Sequence, residues 1–158
     1  MTYLNYTELQ LRSALADDCA SLAQLAKSAH SHPWSEAQYQ QSLSAGHYCW
    51  VLIQGDDIIA CCVISSLFDQ AEILDIAVSP ARRRQGLAEA LLNSVKTELP
   101  SEVERILLEV RVSNLAARSL YRKLGFSEDG IRKNYYPAQN GMREDAVLMS
   151  LALNDTQS

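Results

Sequence analysis

A buried strand that leads through a glycine turn into an amphipathic helix constrains this chain more than any other feature. The apolar run 73–78 predicts the strand, Pro80 and three arginines occupy the turn, and Gly86 precedes the helix. Apolar residues recur on one face of this helix, at Leu87, Leu91, Val95 and Leu99. Backbone N–H groups in the first turn of a helix lack intrahelical acceptors and bind phosphate groups well. The stretch therefore predicts an anion site at the start of the helix.

Two familiar phosphate loops do not occur in this turn. The sequence has no G-x-x-x-x-G-K-[ST], and its single glycine does not make G-x-G-x-x-G. Nucleotide hydrolysis and dinucleotide binding therefore lose support. The alternative to an anion site is an ordinary strand-to-helix turn with solvated arginines.

Length and charge limit the class of protein. A chain of 158 residues supports one hydrophobic core, so we expect a single domain over residues 1–158, with a frayed polar tail at 154–158. The formal net charge of -5 argues against direct nucleic-acid binding, which needs surplus lysine and arginine. No run approaches the roughly 18 to 20 apolar residues of a membrane span. Because the N-terminus also lacks a signal-peptide pattern, the sequence predicts a cytoplasmic protein without a membrane partner.

The spacing of cysteines and histidines does not favour a metal site. His30 and His32 have no third ligand nearby, and we interpret their segment as a polar loop. The cysteines form no C-x-x-C pair, so no metal cofactor is expected. Reduced thiols in the core are expected at Cys19, Cys49, Cys61 and Cys62.

Periodicity predicts alternating strands and helices. Strands are expected at 9–14, 48–53, 58–65, 72–78, 104–110, 126–136 and 143–151. Helices are expected at 36–44, 87–99 and 115–124, and after Asp17 and Asp18, which are interpreted as N-cap residues. Their order predicts an α/β or α+β fold with one sheet of six or seven strands and helices on both faces. The helix between the strands at 72–78 and 104–110 predicts that these two strands run parallel.

The second helix has the clearest start signal. Ser35 and Gln38 match a capping box, and Trp34 and Tyr39 match a hydrophobic staple. Gly46 is expected to stop this helix.

One acid lies inside an otherwise apolar strand. Alternation places Glu109 and Arg111 on one face of that strand, and Leu108 and Val110 on the other. Partly apolar surroundings raise the pKa of a carboxylate, toward the range in which it accepts a proton at neutral pH. The equally weighted alternative is a structural ion pair between Glu109 and an arginine, with Arg111 as a candidate.

Tyr121 lies on the last predicted helix, which Asn114 caps and Gly125 ends. A buried phenol needs a hydrogen-bond partner or a reaction partner. Beside a developing thiolate, a tyrosine can donate its proton as a general acid. From the residues alone, a tyrosine packed in the core is the simpler interpretation.

Three motifs occur in an order and spacing that resemble the GCN5-related N-acetyltransferase (GNAT) superfamily. They are Arg83-x-x-Gly86-x-Ala88, Leu108-Glu109-Val110-Arg111 and Asn114-x-x-Ala117-x-x-Leu120-Tyr121-x-x-Leu124-Gly125-Phe126. The likeness extends to Pro33-Trp34-Ser35-Glu36, Asn134-Tyr135-Tyr136-Pro137 and Arg143-Glu144-Asp145-Ala146. Ala88 stands where many members have glycine, and a methyl group is usually accepted there. The resemblance implies acetyl-CoA as co-substrate and a mixed, mostly antiparallel sheet with a splayed parallel strand pair at the cofactor site.

The resemblance also implies roles for individual residues. Glu109 would take the proton from the incoming amine, and Tyr121 would protonate the leaving thiolate. The pantetheine arm would contact Asn114 and pair with the backbone of Ile76, Ala77 and Val78. The Val78 N–H would also stabilise the developing oxyanion. The diphosphate would bind the N–H groups of residues 84–89: Arg84, Gln85, Gly86, Leu87, Ala88 and Glu89.

Within the superfamily, the chain resembles members that acetylate the N-terminal alanine of small-subunit ribosomal protein eighteen, which implies a ribosomal-protein N-terminus as substrate. Two alternatives stay open. The same cofactor site could serve lysine side chains or small amines, or the chain could be a non-catalytic module that only binds acetyl-CoA. Trp34, Tyr135 and Tyr136 are equally open between a peptide groove and the core. The sequence does not fix the oligomeric state, and a monomer is compatible with it.

Overall fold

The computed structural model describes residues 9–153, which form seven strands, four α-helices and three short 3₁₀ turns. The strands are β1 (Leu9–Ser13), β2 (Tyr48–Gln54), β3 (Asp57–Leu67), β4 (Gln70–Val78), β5 (Arg105–Arg111), β6 (Ser127–Pro137) and β7 (Arg143–Ala152). The helices are α1 (Cys19–Ala29), α2 (Glu36–Ser44), α3 (Leu87–Glu98) and α4 (Leu115–Lys123). The hydrogen-bonded strand order is β1-β2-β3-β4-β5-β7-β6, which confirms the predicted mixed, mostly antiparallel sheet of six or seven strands and gives it seven. The tail predicted at 154–158 lies outside the described residues.

The described residues divide into two compact units, and β4 contributes to both. The first unit contains residues 9–65 and Leu74–Leu99, and the second contains Ser66–Ile73 and residues 100–153. Each unit therefore contains one half of β4, which ends at the turn that precedes α3.

In the first unit, two antiparallel pairings order the strands. β1 pairs with β2 from Leu9–Gln54 to Ser13–Trp50, and β2 pairs with β3 through a tight turn at Gly55. Gly55 has φ +61°, a left-handed conformation that suits glycine in a hairpin turn. Helices α1 and α2 pack on these strands, and the shared core includes Leu22, Leu25, Tyr39, Val51, Cys61, Val63 and Ala77.

Helix α2 begins where the sequence predicts. The Gln38 N–H donates to Ser35 Oγ at 3.2 Å, and the Ser35 N–H donates to Gln38 Oε1 at 2.8 Å, so the capping box is confirmed. The staple is confirmed as well, because the rings of Trp34 and Tyr39 lie 5.2 Å apart between centroids. Gly46 follows the end of the helix with φ +85°.

Asp18 occupies the predicted N-cap position of α1, but the side-chain hydrogen bond expected of a cap is absent. Asp17 and Asp18 lie in a 3₁₀ turn, and Asp18, at the N-cap position of α1, forms no side-chain cap bond. Its carboxylate instead accepts from the Leu15 N–H at 2.7 Å and pairs with Arg12, Nη1 to Oδ2 at 2.8 Å. The bond to Arg12 lowers the pKa of Asp18. A bidentate guanidinium thus outcompetes the helix amides for this carboxylate.

In the second unit, the predicted parallel strand pair is confirmed. The register between β4 and β5 runs from Gln70–Arg105 to Ile73–Leu108, so Glu109 is the next residue of β5. β7 pairs antiparallel with β5 on one side and with β6 on the other. Side chains of β5 alternate as predicted: the buried residues are Ile106, Leu108 and Val110, and the partly buried ones are Leu107, Glu109 and Arg111.

All four cysteines are buried and unpaired, as the sequence predicts. Burial raises the pKa of each of these thiols, that of Cys49 to about 12. The four thiols therefore pack as small apolar groups. Among residues 9–153, no helix combines the length and the apolar character that a membrane crossing requires.

Candidate functional site

The turn between β4 and α3 presents a helix start without a side-chain cap. Residues Pro80–Arg82 form a 3₁₀ turn, and Gly86 is the N-cap residue of α3. The Gly86 carbonyl accepts the first helical hydrogen bond, from the Ala90 N–H at 3.0 Å. Because glycine has no side chain, Gly86 cannot accept hydrogen bonds from the N–H groups of the first turn of α3. The local geometry therefore suits an anion at the start of α3.

Two residues of this turn have left-handed backbone. Gly86 has φ +73°, and Arg84 has φ +66°. For a residue other than glycine this conformation costs about 1–2 kcal/mol, and such strained positions concentrate at ligand sites. Arg84, Gln85 and Gly86 are exposed, whereas Leu87 is buried. The turn is thus open to solvent while the helix behind it is anchored.

Arg83 has a structural task in addition to its charge. Its Nη2 donates to the Ala29 carbonyl at 3.0 Å. Ala29 is the last residue of α1, and the final carbonyls of a helix have no intrahelical donor. The sequence treats the three arginines as charge around the anion site, and the structure shows that Arg83 also completes the C-terminal end of α1.

His30 lies on the edge of β4 that faces away from β3. The Ser79 N–H donates to the Ile59 carbonyl of β3 at 2.8 Å, so strand alternation turns the backbone groups of Ile76 and Val78 to the opposite edge. His30 Nε2 lies 2.8 Å from the Ile76 carbonyl oxygen. Because a carbonyl oxygen only accepts, Nε2 carries the proton and donates it to this bond. His30 is thus hydrogen-bonded to the edge of β4, a contact that the interpretation as a polar loop missed.

The neighbouring histidine makes only a local contact. His32 Nδ1 lies 3.1 Å from the Ser31 hydroxyl. Within residues 9–153, no cluster of three or more histidine, cysteine, aspartate or glutamate side chains could hold a metal ion.

Asp75 is a second acid inside an apolar strand, and sequence reasoning missed it. Its carboxylate accepts a hydrogen bond from the Tyr39 hydroxyl at 2.7 Å, and Cys61 Sγ lies 4.0 Å from the same oxygen. Burial raises the pKa of Asp75, while the bond from Tyr39 and the charge of His30 act in the opposite direction. Burial is also the main cause that raises the pKa of Tyr39. The signal was available, because Asp75 interrupts the apolar run 73–78 just as Glu109 interrupts β5.

Glu109 forms an ion pair, but not with the arginine that the sequence indicates. Arg132 Nη1 lies 3.2 Å from Glu109 Oε2, and the two side chains are 52% and 16% exposed. Arg111 instead donates to Glu144 Oε1 at 3.2 Å and to the Pro137 carbonyl at 2.9 Å. The registers explain how Arg132 reaches this face: Arg132 of β6 and Arg111 of β5 both pair with Ala146 of β7, and Glu109 lies two residues from Arg111 on the same face.

Glu72 is the second carboxylate in the surroundings of Glu109. In the parallel register Glu72 is paired with Leu107, and Leu107 and Glu109 lie on the same face of β5. Burial and the charge of Glu109 raise the pKa of Glu72, and the charge of Arg132 lowers it. Two carboxylates therefore share the field of one guanidinium. Sequence reasoning missed both Glu72 and Arg132, since neither belongs to a recognised motif.

Two tyrosines of β6 extend this cluster. A side-chain hydrogen bond to Glu109, burial and the Glu109 charge raise the pKa of Tyr135. The Arg132 guanidinium carbon lies 4.6 Å from the centre of the Tyr135 ring, and that of Arg111 lies 4.5 Å from the centre of the Tyr136 ring. Burial is the main cause that raises the pKa of Tyr136 to about 12. Tyr135 is thus a direct neighbour of Glu109, which the sequence did not indicate.

Hydrogen bonds join the segments 134–137 and 143–146, the last two motifs of the resemblance, at one end of the β6–β7 hairpin. Arg143 donates through Nε to the Asn134 carbonyl at 2.8 Å and through Nη2 to the Tyr135 carbonyl at 2.7 Å. The Asn134 N–H donates to Asp145 Oδ1 at 2.9 Å, and Asn134 is left-handed with φ +55°. The register between β6 and β7 shifts between Arg132 and Tyr136. These bonds fix the backbone that carries Tyr135.

Helix α4 supplies the two remaining predicted site residues. Asn114 caps the helix as predicted, because its Oδ1 accepts from the Ala117 N–H at 3.2 Å. Tyr121 is buried, and its ring packs edge-on against Phe126 at 5.6 Å between centroids. Tyr121 therefore has the core packing that its residue type predicts, and its catalytic role stays a prediction.

Comparison with known proteins gives a consistent result. Residues 16–126 match the profile of the acetyltransferase (GNAT) family. The chain is similar to the [ribosomal protein bS18]-alanine N-acetyltransferase of Escherichia coli strain K12, with 41% identity over 127 residues, which are 80% of this chain and 85% of that protein.

Solved structures show the same likeness. The crystal structure of the ribosomal-protein-S18-alanine N-acetyltransferase from Escherichia coli matches with a TM-score of 0.83 and 36% identity, over 93% of this chain and 95% of that chain. A GNAT family acetyltransferase from Elizabethkingia anophelis, crystallised with acetyl-CoA bound, matches with a TM-score of 0.74 and 25% identity, over 92% and 99% of the two chains.

Proposed function

Because the chain belongs to the GNAT family of acetyltransferases, which use acetyl-CoA, we propose that it acetylates the α-amine of an N-terminal alanine. The observation that carries this substrate is the identity with the Escherichia coli enzyme, which by its name acts on alanine of ribosomal protein bS18. The N-terminus of that small-subunit ribosomal protein is therefore the proposed substrate. We propose that the reaction takes place in the cytoplasm. The family match spans residues from both compact units, which supports a single acetyltransferase domain.

Acetyl-CoA supplies an activated acetyl group as a thioester. The start of α3 fits its diphosphate, because Gly86 leaves the first-turn amides without a side-chain cap and the turn is exposed. The proposed donors are the N–H groups of residues 84–89: Arg84, Gln85, Gly86, Leu87, Ala88 and Glu89. The left-handed conformation of Arg84 and Gly86 supports this assignment, since strain of this kind accompanies ligand sites.

The backbone of Ile76, Ala77 and Val78 is the proposed partner of the pantetheine arm. Ile76 and Val78 turn their polar groups away from β3, and strand-edge groups of this kind pair with extended ligands. The Val78 N–H is the proposed donor to the oxygen that gains negative charge. His30 already donates to the Ile76 carbonyl, so a ligand N–H at this carbonyl would share it with His30 or displace the ring.

In the second unit, Glu109 is the proposed general base and Tyr121 the proposed general acid. The substrate enters as an ammonium ion, and Glu109 takes one proton from it, which exposes the nitrogen lone pair. The C–N bond then forms, the C–S bond breaks, and the nitrogen loses its second proton to solvent, to which Glu109 also releases the proton that it took. Tyr121 donates a proton to the leaving sulfur and is reprotonated by solvent. The net products are the acetylated N-terminus, CoA thiol and one proton.

Asn114 can cap α4 and also make the proposed contact with the pantetheine arm. Its Oδ1 caps the Ala117 N–H, and its Nδ2 is a pure donor, which suits the proposed contact with a pantetheine carbonyl. No metal takes part in the proposed reaction, because the amine, the base and the acid complete the proton and bond changes.

The test is acetylation of defined peptides by the purified chain. One peptide begins with alanine and contains no lysine, and a matched peptide has an acetylated N-terminus and one internal lysine. A small primary amine is the third acceptor. Mass spectrometry is expected to show an acetyl group on the alanine α-amine, with an equal amount of CoA released. Acetylation confined to lysine or to the small amine would overturn the proposed substrate.

A variant of Tyr121 separates catalysis from binding of acetyl-CoA alone. Tyr121→Phe removes the proposed acid and keeps the ring against Phe126. Its turnover is expected to fall by about 10²- to 10⁴-fold while acetyl-CoA still binds. If the wild-type chain binds acetyl-CoA but releases no CoA with any acceptor, it is a binding module and the proposal is wrong.

A further inference from the structure

A side chain of the protein already occupies the strand edge at which the pantetheine arm is proposed to pair. His30 Nε2 donates to the Ile76 carbonyl at 2.8 Å. In the described chain, the register between β4 and β5 ends at Ile73–Leu108, so Ile76 lies beyond the last residue pair of that edge. His30 therefore donates the hydrogen bond that a neighbouring strand or an extended ligand donates at such an edge.

The His30 ring and a pantetheine amide are alternative donors to this oxygen. A carbonyl at a sheet edge pairs with a strand-like partner through a hydrogen bond that is nearly straight and lies in the sheet. The imidazole Nε2–H and an amide N–H each offer one donor of this kind. Because two donor nitrogens do not fit at one position, the arm pairs with Ile76 only when the ring leaves.

Departure of the ring does not release helix α1 itself. The His30 backbone N–H donates to the Ala26 carbonyl at 2.9 Å, and Arg83 holds the Ala29 carbonyl at 3.0 Å. Neither bond involves the His30 ring. The residues that follow, 31–33, are exposed. Ring departure therefore frees the start of this segment while the end of the helix stays in place.

The other end of the segment is attached to the neighbouring residue of β4. The Trp34 ring lies 5.2 Å from the Tyr39 ring between centroids, and the Tyr39 hydroxyl donates to Asp75 at 2.7 Å. Asp75 directly precedes Ile76. Two consecutive residues of β4 thus hold the two ends of segment 31–34, and all of these residues belong to the first unit.

We propose that His30 is a positioning residue that competes with acetyl-CoA for the Ile76 carbonyl, so that binding of the pantetheine arm frees the start of segment 31–34. This inference rests on the proposed function, because it takes the edge of β4 as the pantetheine site. His30 contacts no reacting atom and transfers no proton in this role. Its bond to Ile76 weakens acetyl-CoA binding and makes the environment of Trp34 depend on whether the cofactor is bound.

The alternative is that the ring and the arm share the carbonyl, which has two lone pairs. In that arrangement His30 would support the strand edge, and its removal would weaken acetyl-CoA binding. Under competition, removal of the ring strengthens binding, because the arm no longer has to break a bond within the protein. The sign of the change in affinity therefore separates the two arrangements.

The first measurement is calorimetric titration with acetyl-CoA in the absence of an acceptor. His30→Ala and His30→Leu remove the donor in two ways, so failure of one variant to fold leaves the other, and His30→Gln keeps an N–H donor. His32→Ala is the matched control, since the hydrogen bond of His32 is to the adjacent Ser31. A second ligand, 3′-phosphoadenosine 5′-diphosphate, is CoA without its pantetheine arm.

Both donor-free variants are expected to bind acetyl-CoA about 2- to 10-fold more tightly than the wild type, which is the range of one net hydrogen bond. Their affinity for the nucleotide fragment is expected to stay unchanged, as is the affinity of His32→Ala for either ligand. His30→Gln is expected to lie closer to the wild type than His30→Ala does. Unchanged or weaker binding of acetyl-CoA in a folded donor-free variant would overturn the inference, as would an equal gain for the fragment.

The second measurement follows the emission of Trp34 in a Trp50→Phe background, in which Trp34 is the remaining tryptophan. Trp50 Nε1 has no hydrogen-bond partner in the described chain, so this change breaks no bond of the indole. Saturating acetyl-CoA is expected to shift the emission, the nucleotide fragment is expected to leave it unchanged, and His30→Ala is expected to abolish the shift. The same shift in His30→Ala, or none in the chain that keeps His30, would contradict release of the segment.

The two proposals fail in different ways. If the wild type binds no acetyl-CoA, the proposed function fails and the inference fails with it. If the wild type acetylates alanine peptides and the His30 variants bind acetyl-CoA as the wild type does, the proposed function stands and the inference alone is wrong.

Discussion

Asp75 in the first unit and Glu109 in the second occupy similar places in the sequence, since each is an acid inside an apolar strand. Their surroundings differ. Asp75 accepts a hydrogen bond from the neutral Tyr39 hydroxyl at 2.7 Å, and burial raises its pKa. Glu109 pairs with the half-exposed guanidinium of Arg132 and is approached by the phenol of Tyr135. The same sequence pattern thus produces an acid held by a neutral phenol in one unit and an acid paired with a guanidinium in the other, although both acids are partly buried.

The difference indicates how the two units divide their work. The first unit offers backbone amides at the start of α3 and at the edge of β4, and its acid holds Tyr39 beside that strand. The second unit offers side chains whose charges can change. Substitutions in the first unit should therefore alter stability and cofactor affinity, and substitutions around Glu109 should alter turnover.

The largest expected effect tests this division directly. Glu109→Gln removes the proposed base and should lower kcat by about 10²- to 10⁴-fold. Asp75→Asn should lower it by less than about tenfold, because that carboxylate is assigned no proton transfer. Steady-state assays with an alanine peptide and saturating acetyl-CoA measure both, with Glu102→Gln as the surface control. Equal losses of kcat in the two variants would contradict the different roles assigned to Glu109 and Asp75.

The next effect is on stability. Tyr39→Phe leaves the Asp75 carboxylate without its donor and should lower the free energy of unfolding by about 1–3 kcal/mol. Tyr135→Phe should cost less than about 1 kcal/mol, since Arg132 still pairs with Glu109. Urea denaturation of both variants makes the measurement. A larger loss in Tyr135→Phe than in Tyr39→Phe would reverse our ranking of the two networks.

Alanine variants of two glycines test whether the first unit binds acetyl-CoA through its backbone N–H groups. An added Cβ at Gly86 would meet no atom within 4 Å, so the cost of Gly86→Ala is the left-handed conformation itself, about 1–2 kcal/mol. The KM for acetyl-CoA is expected to rise by about 5- to 30-fold, with kcat changed far less. Gly55→Ala is the matched control: Gly55 is also left-handed with open space, but lies in the β2–β3 hairpin. A similar rise in both variants would mean that the KM reports general destabilisation.

The smallest effect is the pH dependence of stability. The pKa of Asp75 is raised in the folded chain, so its contribution is fully favourable below the unfolded pKa of about 3.9 and is lost as the pH rises through the folded value. Asp75→Asn should remove this decline, which is measured as the difference in unfolding free energy between variant and wild type across the acidic range. Asp18→Asn should show the opposite sign, because its bond to Arg12 lowers the pKa of Asp18 and its contribution is lost as the pH falls. The same sign for both variants would contradict the assigned surroundings.

Local signals were enough for most of the fold. The capping box at Ser35 and Gln38 and the glycine turn before α3 depend on neighbouring residues alone, and both occur as predicted. The parallel pairing of β4 and β5 follows from a single crossover helix. The cap at Asp18 was mispredicted because Arg12, six residues earlier, binds its carboxylate more strongly than the helix amides do.

The candidate site was predictable only in part, because its contacts depend on strand order. Glu109 stands out from its own strand, but its partner Arg132 follows from β7 lying between β5 and β6, which no short motif encodes. Glu72 becomes visible only when the register of β4 against β5 is known. Asp75 carried the same local signal as Glu109 and was hidden by the neighbouring glycine motif.

The two successive residues at the end of α1 are both tied to the strand and turn that follow β3. The Ala29 carbonyl accepts from Arg83, and His30 donates to Ile76, 54 and 46 positions later in the chain. The segment from Ser31 to Trp34 therefore connects two held points, His30 on β4 and the capping box at the start of α2. Substitutions between His30 and the capping box would leave in place the two hydrogen bonds that tie the end of α1 to β4 and to the turn before α3.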